Sequence, residues 1–293
     1  MCINNPLIDN LIKMALAEDI GSGDITTNIL ISEGQKGEAY VVAKEDMILS
    51  GIGILKRVFQ LIPIYPTLLK GGGGDFAPHI IKFKDRFRDG EIVKNGRIII
   101  EIGGDGRAIL TGERTALNFL QRMSGIATIT KKYVDSVRRF NAKIIDTRKT
   151  TPGLRILEKY AVRCGGGYNH RLGLSDGIII KDNHIKAAGG IINAVERIWD
   201  DKPYLMKIEV ETKDLKEVRD ALKCSADVIM LDNMDIPTIK KAVKLINKEA
   251  LVEVSGRVNL ENVTEIAATG VDYISIGALT HSARAVDISM EIR

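Results

Sequence analysis

From residue 142 onward, apolar and polar positions fall into alternating blocks. Six short apolar runs stand out: AKIID (142–146), GIIIK (177–181), LMKIEVE (205–211), DVIMLD (227–232), LVEVS (251–255) and DYISIG (272–277). Each has the length of a strand and is short for a globular helix. Helical spacing between them predicts helices over 153–163, 185–199, 213–223, 236–248 and 260–268. Asn259 is placed to cap the last of these and Gly270 to end it. Repeated strand–helix units imply parallel strands with right-handed crossovers. Strands this apolar need cover on both faces. No G-x-G-x-x-G follows the first strand, so an incomplete α/β barrel is preferred to an open doubly wound sheet built from the same unit.

The first part of the chain reads differently. Asn5-Pro6 opens a helix that GSGD stops. The runs EAYVVAK (38–44), GEIVK (90–94), GRIIIEIGG (96–104) and RAIL (107–110) read as strands separated by Gly and Asp turns, with one helical stretch at 51–62. The pattern turns helical again over 114–140. The expected organisation is a smaller N-terminal α+β domain over 1–112 and an α/β barrel over 113–282. The tail 283–293 suits an extra strand on the small domain. Gly71–Gly74 reads as a loop tip.

Charge sharpens this picture. The chain carries 42 Lys/Arg against 38 Asp/Glu, and the whole excess sits between Thr147 and Asp176. A long cationic loop between two strands points to a small polyanionic ligand. The excess is too local, and aromatics at 5% too sparse, for general nucleic-acid binding. No apolar run approaches transmembrane length and the start is not a signal peptide. Three cysteines at unrelated spacings suggest neither disulfides nor zinc, so a reducing cytoplasm is expected.

Every strand run ends in polar or Gly residues, which is the expected form of a catalytic mouth. Arg148, Lys149, His170, Arg171 and Lys181 are donors to anions. Glu211 and Asp232 suit Mg²⁺ or sugar hydroxyls. Ser255-Gly256 and Gly277 can offer bare backbone N–H groups to a phosphate. Singly, each has a bland reading: a solvated Lys181, a surface Glu211, a loop His170, glycines that merely end elements. The functional reading rests on their joint occurrence at successive strand ends.

The segments EDIGSGDITT (18–27), GERTALNFLQRMSGIAT (112–128), DTRKTTPGLRILEKYAVRCGGGYNHRLGLSDGIIIKDNHI (146–185), IEVE (208–211), MLDN (230–233), VSGRV (254–258) and GVDYISIGALTHS (270–282) closely resemble the quinolinate phosphoribosyltransferases. The resemblance implies a small α+β domain beside an incomplete α/β barrel. It implies transfer from phosphoribosyl pyrophosphate to quinolinate with loss of CO2, aided by Mg²⁺. Arg148, His170, Arg171 and Lys181 would surround the quinolinate carboxylates, with Thr147 beside them. Lys149 would meet the pyrophosphoryl part, and Glu211 and Asp232 the ribose and metal. Ser255, Gly256 and Gly277 would hold the 5′-phosphate, with Arg257 and His281 nearby. Arg114 would reach into a neighbouring subunit's site, implying a homodimer or a hexamer built as a trimer of dimers.

Two places depart from the family pattern: Arg257, where a small or neutral residue is expected, and 70–90. Other readings stay open. They are a paralogue with another heterocyclic acceptor, a Schiff-base aldolase using Lys181, and a non-catalytic metabolite sensor.

Overall fold

The computed structural model describes residues 5–62 and 81–293. The chain divides into two units: residues up to Thr128 together with Ala283–Arg293, and Ile129–Ser282. The Gly71–Gly74 run lies outside the described residues.

In the first unit, helix α1 (Pro6–Ile20) starts where the sequence places it. The Asn5 side chain accepts the Leu7 N–H and a proline occupies the first turn. Ile8, Ile12, Leu16 and Ile20 recur every four residues and are the buried stripe. Helix α2 (Ile25–Leu30) is capped by Asp24, which accepts the Thr27 N–H at 2.9 Å. There follow β1 (Lys36–Ala43), β2 (Met47–Ile48), α3 (Ile52–Leu61), β3 (Lys82–Asp85), β4 (Ile92–Val93), β5 (Ile98–Asp105) and the long α4 (Gly106–Val137). The run 107–110, read as a strand, is instead the first turn of α4. Asp105 accepts the Ala108 N–H at 2.9 Å, and Ala108 and Ile109 are buried on its inner face. The change of pattern at 112/113 falls inside α4, and so does the division between the units at 128/129.

The second unit alternates β6 (Lys143–Ile145), α5 (Arg155–Cys164), β7 (Ile178–Ile180), α6 (Asp182–Ala188), α7 (Ile191–Asp201), β8 (Ile208–Thr212), α8 (Leu215–Lys223), β9 (Val228–Asp232), α9 (Ile236–Ile246), β10 (Leu251–Ser255), α10 (Val263–Ala267), β11 (Tyr273–Ser275) and α11 (Ala278–His281). The single helix expected over 185–199 is two. Gly189 and Gly190 break it at φ +82 and +138, a conformation a β-carbon disfavours. Asn259 caps the turn before α10, accepting from Glu261 and Asn262 N–H, and Asn262 itself is the helix N-cap.

All six strands are parallel, in the order β6-β11-β10-β9-β8-β7. The sheet is an incomplete α/β barrel, open between β6 and β7, the two strands that the basic loop connects. Tyr168 of that loop lies along the free edge of β6: its N–H donates to the Ile144 carbonyl and its carbonyl accepts from Asp146 N–H, at 2.9 and 3.1 Å. The loop is thereby tied to the barrel edge. Ile144, Ile180, Ile208, Val210, Ile229, Leu231, Val252, Val254 and Ile274 are all buried.

The chain ends by returning to the first unit. Strand β12 (Ile288–Ile292) pairs antiparallel with β1, giving a four-stranded sheet β12-β1-β5-β3. The tail before it is seated on α4. Arg122 Nη1 donates to the Ala283 carbonyl at 2.8 Å, and a β-carbon on Gly125 would collide with the Arg284 carbonyl oxygen. Among the described residues no helix is long and apolar enough to cross a membrane.

Candidate active site

A cavity of about 780 Å³ opens at the C-terminal ends of the six parallel strands. Thr147, Arg148, Lys149, His170, Arg171, Lys181, Glu211, Asp232, Ser255, Gly256, Arg257, Gly277 and His281 all line it. Arg114 does not: it sits on α4, its side chain 61% exposed and 3.9 Å from Glu113. A larger cavity, about 1000 Å³, opens at the opposite strand ends. Arg139 and Lys248 are offset there by Asp227, Glu249 and Asp272, so no single-sign field forms.

The basic loop divides its cations between two tasks. Arg148, Lys149 and Arg171 face the cavity, while Arg155, Lys159 and Arg163 hold the loop. Arg155 donates to Thr150 Oγ1 at 2.9 Å and to the Leu172 carbonyl at 3.1 Å. Arg163 lies over the Tyr168 ring at 4.9 Å. Lys159 is ion-paired with Asp146, and both are almost wholly buried. Burial pushes the Asp146 carboxyl up and the Lys159 ammonium down, with the pairing opposing both shifts. Asp146 also accepts from Asn169 Nδ2 at 2.5 Å and His170 N–H at 2.9 Å, and Lys159 donates to the His170 carbonyl at 3.0 Å. Two buried charges thus fix the backbone of 169–171.

The donors that remain point to an anion. Arg171 Nη1 is held by the Gly177 carbonyl at 2.7 Å, yet the Nε atoms of Arg171 and Arg148 are buried without a partner in the chain. Burial, then the Arg148 charge, lowers the Arg171 pKa. Two guanidiniums held together with unused donors are costly unless an anion joins them. Lys181 reaches Glu211 at 2.9 Å. The Thr280 hydroxyl donates to the Lys149 carbonyl at 2.7 Å, so the short α11 anchors Lys149.

Glycines shape the other side. Gly256 has φ +93, and a β-carbon there would meet Asn233 Oδ1 and lie 3.0 Å from its backbone nitrogen. Arg257 follows at φ +52, so it holds a left-handed turn as well as lining the cavity. A β-carbon on Gly277 would sit 2.9 Å from Lys149 Cδ and 3.1 Å from the His281 ring. Gly256→Ala is expected to displace Asn233, with a loss of activity of about tenfold or more from combined strain and overpacking. Steady-state kinetics beside a melting curve would separate that from unfolding.

The models of two family domains match this chain: quinolinate phosphoribosyl transferase, N-terminal domain, over residues 24–124, and C-terminal domain, over 126–291. The chain belongs to the quinolinate phosphoribosyl transferase family. A probable nicotinate-nucleotide pyrophosphorylase (carboxylating) of Bacillus subtilis (strain 168) is 43% identical over 290 residues, covering 99% of this chain and 95% of that protein. A chloroplastic nicotinate-nucleotide pyrophosphorylase (carboxylating) of Arabidopsis thaliana is 43% identical, covering 96% and 82%. The crystal structure of NadC from Streptococcus pyogenes superposes with a TM-score of 0.89 at 39% identity, covering 98% of this chain and 96% of that one.

In this family member, sequence reasoning missed the cavity floor. Glu209 lies two residues before Glu211 on the same face of β8 and is buried, as are Glu253 on β10 and Ser275 on β11. The available signal was a charged residue inside an apolar strand, at the second place of IEVE and the third of LVEVS.

Proposed function

We propose that this chain joins quinolinate to the ribosyl carbon of phosphoribosyl pyrophosphate, releasing pyrophosphate and CO2 and giving nicotinate mononucleotide for NAD biosynthesis. The observation that carries this reading is the pair of buried, unpartnered arginine nitrogens of Arg148 and Arg171, set in a cavity that also holds Lys149 and Lys181. A planar dicarboxylate suits the guanidinium forks.

Displacement of pyrophosphate leaves positive charge on the anomeric carbon, which Glu211 and Asp232 would stabilise while Lys149 meets the leaving group. Fixed cations would hold the ring nitrogen in line for attack. The ring nitrogen, once quaternary and positive, would stabilise the electron pair left on the adjacent carbon as the carboxylate departs as CO2, and that carbon then takes a proton from solvent. Glu211 and Asp232 stand at the ends of adjacent strands, and this all-oxygen donor set fits Mg²⁺. When bound there, Mg²⁺ would neutralise charge on the pyrophosphate. Ser255, Gly256 and Gly277, with Arg257 and His281, would seat the 5′-phosphate. Arg114, exposed and not among the residues lining this cavity, is assigned to a neighbouring subunit's site in a homodimer or a trimer of dimers. The unpatterned cysteines favour the cytoplasm as its compartment.

The test is release of CO2 and pyrophosphate with quinolinate, phosphoribosyl pyrophosphate and Mg²⁺, with nicotinate as control acceptor. Equal release with quinolinate alone is expected. No release by folded protein sinks the proposal in favour of another heterocyclic acid. Arg148→Ala is expected to raise the KM for quinolinate about 10- to 100-fold, the loss of one or two hydrogen bonds to a charged group. Unchanged quinolinate kinetics would remove its role.

A further inference from the structure

Two carboxyl groups beneath a cavity for a dianion are a liability. Glu209 on β8 and Glu253 on β10 are both buried, and one oxygen of each has no hydrogen-bond partner in the chain. Their oxygens and a His170 ring nitrogen lie within 4.8 Å of one another. His170 Nε2 is 3.0 Å from Glu209 and 3.6 Å from Glu253. With both acids ionised, the floor would oppose the ligand that Arg148 and Arg171 attract.

The ring of His170 decides how that charge is relieved. Its Nδ1 accepts the Arg171 backbone N–H at 2.7 Å, so the proton of the neutral ring sits on Nε2 and is donated to Glu209. The two carboxylates raise the His170 pKa against its burial. A second ring proton would have to go on Nδ1, facing the Arg171 N–H donor, a contact that opposes the upward shift. A metal ion is opposed by the same contact: it would need the Nε2 lone pair and so also push the proton onto Nδ1. The next proton therefore goes to a carboxyl. Glu253 is the deeper of the two, and burial followed by the Glu209 charge pushes it up to about 8. His170, the Ser275 hydroxyl on β11 and Lys181 beyond β7 oppose that shift.

We propose that Glu253 is a specificity-determining residue of the acceptor pocket, held as a neutral acid so that the cavity stays cationic enough for a dicarboxylate. This rests on the reading of quinolinate as the acceptor. Neutral Glu253 is present below its pKa, so acceptor affinity is full there and falls as pH rises through about 8. Glu253→Gln is neutral at every pH and keeps the shape.

The experiment is calorimetric binding of quinolinate to the whole protein and to Glu253→Gln, from well below to well above pH 8. The expected result is comparable affinity of the two below pH 8. Above it, the wild type should lose affinity by up to about tenfold per pH unit relative to the variant. Parallel profiles overturn the proposal, because lysine titration is common to both proteins. So does a stoichiometric divalent ion in the purified wild type that Glu253→Gln lacks. If the wild type binds no quinolinate at any pH, the acceptor reading fails and the specificity role falls with it. Melting curves without ligand then still decide the charge state. Glu253→Gln should gain stability over the wild type at neutral pH, with the gap closing toward acid, since a raised carboxyl pKa stabilises the fold only at low pH. No gap at neutral pH means no neutral acid.

Discussion

Lys159→Met is expected to cost about 3–5 kcal/mol of folding free energy, because it strands the Asp146 carboxylate uncompensated in a fully buried site. Denaturant melts of the whole protein measure this. The double variant Lys159→Met/Asp146→Asn should recover much of the loss, since removing both charges of a buried pair is often close to neutral. Stability restored by the second change would show that the charge was the problem rather than lost packing. Activity should not recover in step. Asp146 and Lys159 clamp His170 from both its N–H and its carbonyl, so the double variant should keep a raised KM for quinolinate. An Arg148 and Arg171 pair that binds normally in the double variant would show that the clamp does not position the pocket.

Gly125→Ala is the other large effect. Gly125 sits inside α4, where alanine is ordinarily favoured by about 1 kcal/mol over glycine. The sign is expected to reverse here. The added methyl meets the Arg284 carbonyl oxygen and lies 3.3 Å from Ala285 Cα, and backbone cannot swing away as a side chain can. A loss of about 3 kcal/mol is expected, at the upper end for overpacking. It should be concentrated in the tail: faster amide exchange at Ile288–Ile292 and in the β1 residues Ala39–Ala43 that pair with it. Increased stability would mean that the tail does not rest on α4.

What could be read from the residues divides along physical lines. The six strands were legible because parallel strands covered on both faces are apolar runs with polar ends. The cavity rim was legible for the same reason, since strand ends are where sequence puts its turn chemistry. Position along a strand was less so: Glu209 and Glu211 share one face of IEVE, and only depth along the strand tells which is on the floor. The basic loop misled in one respect. Its cations look alike in the sequence, whereas Lys159 and Arg155 serve the loop itself, and only their partners, Asp146 and Thr150, reveal that. Run 107–110 failed as a strand because apolar residues alone do not choose between periods, and the cap at Asp105 settles it.

The pairing of β12 with β1 sets an order of assembly. All of β6–β11 lies within Ile129–Ser282, so the barrel has every strand it needs once that stretch has left the ribosome. The sheet begun by β1 does not. Until Ile288–Ile292 emerge, β1 carries an open edge, with the backbone groups of Ala39–Ala43 unpaired on that side and available to any passing strand. The sheet that β1 opens is therefore completed only after the barrel. Chains halted between Ser282 and Ile288 should carry every barrel strand and a sticky β1 edge.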